Sequence, residues 1–223
     1  MLKVKDVHYT YTGKYQTNEV LHGVSCEFEA GRLYAVMGPS GSGKTTLLSL
    51  MAGLDTPTSG EISFDDCSLA DIDRDKYRQN TVSVIYQSFN LFPLLTALEN
   101  VMFPIQILGK TKSAVKNEAG KYLEIVNLDK DIFSKRPLMM SGGEQQRVAI
   151  ARALASGGKI LLADEPTGNL DSENGAAIVE IIKNLAHEHD YIAIVVTHSD
   201  IVAKEADVVY KIVDGRMEPA SCL

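Results

Sequence analysis

Apolar and polar residues alternate along Leu2–Tyr9 and Val24–Glu29, the period-2 pattern of half-buried strands, and the polar segment Thr12–Asn18 between them reads as a loop. Arg32–Met37 is a short apolar strand that runs straight into Gly38. Thr45–Ala52 has helical composition with Gly53 as its stop, and Pro57–Gly60 reads as a turn. The character changes from about Phe92 to Met140, where Val115, Ala119, Tyr122, Leu123 and Val126 fall at helix-face spacing. Prolines 93, 104 and 137 punctuate this stretch, which reads as an inserted helical lobe. Strand and helix then alternate again. Lys159–Ala163 is a buried strand, Ser172–Ala186 a helix with Ser172 as candidate cap, Ile192–Thr197 a second buried strand and Asp207–Val213 a third. Short, fully apolar strands separated by helices indicate an α/β fold with a parallel sheet covered on both faces. The sequence shows neither an internal repeat nor a low-complexity tract.

Bulk properties narrow the class without naming it. The 223 residues, 45% hydrophobic and 23% charged, suit one globular domain spanning 1–223 with a small inserted lobe. Net charge is −7 with no lysine- or arginine-rich run, which argues against a nucleic-acid partner held by phosphate neutralisation. Cys26, Cys67 and Cys222 are odd in number, far apart and without a CxxC pair, so free thiols in a reducing cytoplasm are expected rather than disulfides or zinc. The opening Met-Leu-Lys-Val-Lys-Asp lacks the apolar stretch of a signal peptide, and no run approaches the ~20 apolar residues of a membrane span. A membrane role must therefore come through a partner polypeptide.

Candidate chemistry concentrates after the Arg32–Met37 strand. Gly38-Pro39-Ser40-Gly41-Ser42-Gly43-Lys44-Thr45 fits G-x-x-x-x-G-K-[ST]. Glycines let the backbone curl so that several N–H groups point inward, and the helix that follows presents its positive end to phosphates. Lys44 can reach the β- and γ-phosphates, and the Thr45 hydroxyl can bind Mg²⁺. This motif alone gives a phosphate-loop NTPase.

Ile160-Leu-Leu-Ala-Asp164-Glu165 is an apolar strand ending in two acids. Parallel strands present ligands at their carboxyl ends. Asp164 there would hold Mg²⁺ through water, and Glu165 lies where it could polarise an attacking water. Ile192–Val196 likewise ends in Thr197-His198, which places His198 at the same edge, within reach of a γ-phosphate.

Ser141-Gly142-Gly143-Glu144-Gln-Gln-Arg147 adds a helix start: Ser141 can cap, the glycines expose backbone N–H groups, and Glu144 suits the first turn. Together with the phosphate loop and the Asp164-Glu165 pair, in this order, it resembles the signature of ABC ATPases, usually Leu-Ser-Gly-Gly-Gln. Met140 replaces the usual leucine, and Gly157-Gly158 stand where a proline-containing turn is common. The resemblance spans about Leu2 to Met217. It implies a mostly parallel core sheet, an N-terminal antiparallel β-subdomain and a helical subdomain inserted at about 92–140. Tyr86-Gln87-Ser88 resembles the Q-loop, whose Gln87 would join Mg²⁺ and the attacking water to the helical lobe. Gly168-Asn-Leu-Asp171 resembles the D-loop, and His198 the H-loop. Tyr11 sits where the family places an aromatic for adenine stacking, with Tyr9 as a nearby rival. The resemblance thus implies ATP and Mg²⁺ as cofactors. The expected nucleotide set is Tyr11, Gly38 to Thr46, Gln87, Ser141, Gly142, Gly143, Glu144 and Asp171. Thr45, Gln87 and Asp164 would serve the metal, and Lys44, Gln87, Glu165 and His198 catalysis.

In this family two subunits pack head to tail, so that each signature closes over the other's γ-phosphate. A homodimer around two ATP is therefore implied, driving a separate integral-membrane permease from the cytoplasmic, inner face of the membrane. SGGEQQR and ADEPTGNLD look like the subgroup of lipoprotein-release, macrolide-export and antimicrobial-peptide-resistance ATPases. A cell-division ATPase that regulates wall hydrolases and a small-solute importer motor are the alternatives. A DNA-repair, chromosome or ribosome ATPase is disfavoured by the acidic balance and the lack of a long coiled coil.

Overall fold

The computed structural model describes residues 1–13, 17–107 and 112–222. Among these, the strands form two sheets. One is antiparallel, in the order β2-β1-β4-β5, from β1 (Leu2–Thr12), β2 (Thr17–Phe28), β4 (Ser59–Phe64) and β5 (Cys67–Ser68). The other runs β10-β9-β3-β8-β7-β6, from β3 (Arg32–Met37), β6 (Val82–Ile85), β7 (Ile160–Asp164), β8 (Ile192–Thr197), β9 (Val208–Val213) and β10 (Arg216–Cys222). Its strands pair in parallel except for β10, an antiparallel edge on β9. The expected N-terminal antiparallel sheet and mostly parallel core are both present.

The uniformly apolar strands are explained by burial on both faces. In β3, β7 and β8, successive residues alternate between two cores, as the strand period requires. Tyr34, Val36, Ile160, Leu162, Ile192 and Ile194 pack with the antiparallel sheet and helix α1 (Lys44–Met51). Leu33, Ala35, Leu161, Ala163, Ala193 and Val195 pack on the opposite face, against α5 (Gly142–Leu154) and α6 (Ser172–His189). That second core runs on into α3 (Ala97–Ile107) and α4 (Lys112–Ile125) through Val101, Ile105, Val115, Ala119 and Leu123. The helical segment is thus welded to the sheet by shared apolar packing. The other described helical elements are short: α2 (Arg74–Asn80), α7 (Asp200–Glu205) and two 3-10 turns at Ile132–Ser134 and Pro137–Met139.

Register decides where chemistry can occur. Met37 pairs with Thr197 and Asp164 with Val196. The carboxyl ends of three neighbouring strands are therefore level, and Gly38, Glu165 and His198 leave the sheet side by side.

The structure redraws several sequence-based boundaries. Helix does not begin at Phe92. Asn100, fully buried, accepts from Phe92 N and donates to the carbonyls of Phe92, Leu95 and Thr96, which holds that stretch as a loop until Ala97. Pro104 lies inside α3 rather than interrupting it. Asp171, not Ser172, caps α6: its carboxylate accepts from Asn174 N at 2.9 Å. Ser59 and Gly60 belong to β4 rather than to a turn. Gly60 has φ +84, and a Cβ there would lie 2.1 Å from Asp6 O, so the strands can pass this closely only at glycine. Thr12, Thr17 and Asn18 are strand residues paired across the hairpin; residues 14–16 of the expected loop lie outside the described residues.

Of the two tyrosines near the end of β1, Tyr9 is buried and donates its hydroxyl to the Asp55 carboxylate. That bond, reinforced by burial, pushes the Tyr9 phenol up to about 12. In the unfolded chain a tyrosine ionises near pH 10. Tyr9 therefore stabilises the fold below about pH 10, and that stability is lost as pH rises towards 12. Urea unfolding midpoints at pH 8 and pH 11 measure this: Tyr9→Phe should show a shallower alkaline loss than wild type. Equal losses would exclude the contribution.

Candidate nucleotide site

The loop from Gly38 to Gly43 emerges from β3 and turns directly into α1, whose first turn has no side-chain cap. Its leading N–H groups are therefore free to meet an anion, in the field of the helix's positive end. The Lys44 ammonium is largely buried and donates to the carbonyls of Gly38 (2.8 Å) and Pro39 (2.9 Å). A cation folded back on its own loop can be drawn off by a phosphate at little cost. The Ser42 hydroxyl is buried without a partner among the described residues, an orphaned group inside the same loop. Buried polar groups of that kind normally find a ligand or ordered water.

Beside the loop lies a cleft of about 730 Å³, lined by Val20, Ser40, Gly41, Gly43, Lys44, Thr45, Thr46, Gln87, Asp164, Glu165 and His198. The Thr45 hydroxyl stands 3.2 and 3.3 Å from the two Asp164 carboxylate oxygens. Burial pushes the Asp164 carboxyl up, Glu165 adds to the rise, and the Thr45 hydroxyl and Lys44 oppose it. A hydroxyl and a half-buried carboxylate form a hard-oxygen donor set of the kind Mg²⁺ takes, and a divalent cation would relieve the cost of ionising Asp164.

Glu165 adopts φ +46, an unusual backbone for a non-glycine residue. Both of its carboxylate oxygens are held: Thr197 Oγ1 donates to one at 2.9 Å, and His198 Nδ1 lies 2.7 Å from the other. The side chain is only 16% exposed, whereas His198 is 75% exposed at the mouth of the cleft. A fixed carboxylate beside a phosphate loop can orient a water molecule and accept its proton.

Gln87 also lines the cleft and is tied to the loop after β7. Asn169 donates to Gln87 O at 2.9 Å, and Gln87 Nε2 approaches Asn169 Oδ1 at 3.4 Å. Tyr11 lies outside the cleft lining, half exposed, with its hydroxyl 3.3 Å from Thr46 Oγ1. Tyr9, by contrast, is buried.

Ser141, Gly142, Gly143, Glu144 and Asp171 do not line this cleft. They form a second constellation at the starts of α5 and α6. Ser141 accepts from Glu144 N at 3.2 Å, and the Glu144 carboxylate accepts from Ser141 N at 2.6 Å, a complete capping box. Glu144 is thereby spent on its own helix. A Cβ on Gly143 would meet Asn174 Oδ1 at 2.4 Å, so glycine there lets α5 press against the α6 start. Asp171 accepts from Asn174 N and Asn174 Nδ2, which lower its pKa.

Sequence reasoning missed Val20, Thr197 and Asn169. Thr197 carried a readable signal, as the one hydroxyl ending an otherwise apolar strand. Val20 and Asn169 reach the site only through tertiary packing.

Loop, acidic strand end and glycine-led helix together define a nucleotide-handling cassette. The profile described as ABC transporter matches residues 21–168. The chain belongs to the ABC transporter family, as one of its ATP-hydrolysing cassettes. It is 40% identical to the ABC transporter ATP-binding protein MJ0796 of Methanocaldococcus jannaschii, over 98% of this chain and 95% of that protein. A dimeric structure of MJ0796 superposes with a TM-score of 0.91 at 38% identity, covering 100% of this chain and 99% of that one; a second MJ0796 dimer, equally similar, is described as a post-hydrolysis state bound to ADP and Pi. The lipoprotein-releasing system ATP-binding protein LolD 2 of Rhodopirellula baltica is 39% identical over 98% of this chain and 89% of its own length. The macrolide export ATP-binding/permease protein MacB of Brucella melitensis is also 39% identical over 97% of this chain, but the chain spans only 34% of that protein's length.

The capping box generates a stability prediction. Glu144→Ala removes the acceptor of Ser141 N and should cost about 1 kcal/mol. For a chain of this size that lowers the thermal midpoint by about 2–4 °C. An unchanged midpoint would show that water replaces the carboxylate fully.

Proposed function

We propose that this cassette works as a homodimer that closes around two ATP molecules and drives a membrane permease carried on a separate chain. The observation that carries the reading is the Thr45–Asp164 contact: it brings the phosphate loop and the acidic strand end to one point, with Glu165 and His198 beside it. Lys44 and the amides from Gly38 to Thr46 would hold the β- and γ-phosphates, and Tyr11 would stack on the adenine. Thr45, Asp164 and Gln87 would hold Mg²⁺, which when bound neutralises charge on the phosphate oxygens. Glu165 would orient the attacking water and accept its proton. Thr197 and His198 fix its two oxygens in advance, and His198, exposed at the mouth of the cleft, would contact the γ-phosphate.

Separation of the Ser141–Glu144 turn from the cleft supports a site completed by a second copy. Facing copies would place the Ser141 hydroxyl and the Gly142 and Gly143 amides against the other copy's γ-phosphate, with Asp171 at the interface. Charge-assisted hydrogen bonds contribute about 1.5–3 kcal/mol each. Two per site at two sites exceed the ~5.5 kcal/mol that moves an equilibrium from 1:99 to 99:1. ADP lacks the γ-phosphate, so hydrolysis releases the dimer.

The names of the lipoprotein-releasing and macrolide-export relatives support a permease partner in an export or lipoprotein-handling system. Membrane attachment would then be peripheral, on the inner face of the cell membrane. No helix among the described residues is long and apolar enough to cross a membrane.

Glu165→Gln should retain ATP binding, hydrolyse at least ~10²-fold more slowly and accumulate as an ATP-bound dimer. Steady-state phosphate release and gel filtration with ATP measure both, and a wild-type rate overturns the assignment of Glu165. Ser141→Arg should bind ATP yet stay monomeric in the same gel filtration. ATP-dependent dimers of that variant would contradict completion of the site by a second copy.

A further inference from the structure

The phosphate end of the site is framed by strand ends on both sides, whereas the residue offered to the base is paired on one side only. Tyr11 is the next-to-last residue of β1, paired with Asn18 on one side only, since the β1–β4 register ends at His8 opposite Ser59. A ring at the end of a hairpin loses much rotamer and backbone freedom when a base stacks on it, and that loss weakens binding. Something must hold it beforehand.

Tyr9 is placed to do so. Its ring meets the Tyr11 ring at 84° with centroids 4.8 Å apart, an edge-to-face contact. Its hydroxyl is anchored on the Asp55 carboxylate, whose other oxygen accepts from Thr56 N at 2.8 Å. Arg74 at the start of α2 donates to the Thr56 hydroxyl and closes the network. Asp55 follows the end of α1, whose first turn carries Lys44, Thr45 and Thr46. Tyr11 in turn touches Thr46. The tyrosine pair is thus tied to both ends of the helix that bears the phosphate loop.

We propose that Tyr9, held by Asp55, is a positioning residue for base recognition: it fixes the Tyr11 ring relative to the phosphate loop so that a purine stacks without ordering the hairpin. This rests on Tyr11 as the base platform. It also means that the nucleobase contribution is set from the far end of α1, by residues that never touch the nucleotide.

Calorimetric titration of the full chain with ADP and with pyrophosphate separates the base from the phosphates, because pyrophosphate has no ring to stack. Tyr11→Ala should weaken ADP about tenfold or more, in line with base–aromatic stacking, and leave pyrophosphate unchanged. Tyr9→Phe and Asp55→Ala should each weaken ADP about threefold, again with pyrophosphate unchanged, and Asp55→Asn, which can still bond the Tyr9 hydroxyl, should recover most of the loss. Equal loss for ADP and pyrophosphate in the Tyr9 and Asp55 variants would mean general loosening of the fold and overturn the inference. Unchanged ADP affinity in those two variants, with the Tyr11→Ala effect intact, would overturn it while leaving the platform in place. Unchanged ADP affinity in Tyr11→Ala would remove the platform itself.

Discussion

Everything at the site depends on one contact across the sheet, the Thr45 hydroxyl against the Asp164 carboxylate. Thr45 belongs to the helix after β3, and Asp164 ends β7, with β8 between them in the sheet. The two meet only because parallel registry aligns the strand ends and because α1 starts as soon as the loop has turned. Burial and the adjacent Glu165 oppose ionisation of Asp164, the Thr45 hydroxyl and Lys44 offset this only in part, and Ser42 has no partner among the described residues. Each of these local deficits is of the sign that a triphosphate with its cation would correct. The groups that would meet phosphate and cation are already in place beside the cleft.

The same economy governs Glu165. A carboxylate beside a phosphate loop must be held in place against charge repulsion. Here Thr197 and His198, both from the end of β8, take one oxygen each. The Glu165 backbone is turned into the left-handed region, with its N–H bonded to Val196 O at 2.9 Å. The strand neighbour therefore fixes the residue at backbone and side chain alike. His198 serves a dual geometry, with one ring nitrogen on Glu165 and the rest of the ring in solvent at the cleft mouth.

Much of this was legible in the sequence, and the boundary of legibility is physical. Arg32–Met37 and Ile192–Thr197 were placed correctly because burial on both faces leaves an unbroken apolar run with hard ends. The loop and the acid pair followed because glycine spacing and consecutive carboxylates have few other uses. By contrast, β6 (Val82–Ile85) gave no clear signal: four residues are too short to show a period, and Ser83 breaks the apolar run while bonding Ala153 O inside the core. The start of the helical segment was misplaced because the Asn100 amide satisfies three loop carbonyls, and nothing in a hydropathy pattern reports that. Asp171 and Ser172 are both good caps by type; only the observed backbone turn chooses between them. Tyr11 was preferred to Tyr9 on the family resemblance alone, and the structure adds that Tyr9 is buried and Tyr11 half exposed.

That last pair shows how a structural residue acquires functional weight. Tyr9 is part of the core by every measure of packing, yet its position is not interchangeable with another apolar residue. A phenylalanine would fill the same volume and keep the edge-to-face contact, but it would release the hydroxyl tie to Asp55. The hairpin would then be fastened near Tyr11 by the Thr46 contact and by backbone bonds alone. A ring fastened at one point can swing; fastened on both sides of α1, it shares the rigid frame of the phosphate loop. The nucleotide spans base and phosphate over a limited range of separations, so the protein gains affinity when its own two contact points are held within that range. On the proposed reading the core would set that separation, and the antiparallel sheet that carries Tyr9 and Tyr11 would transmit it.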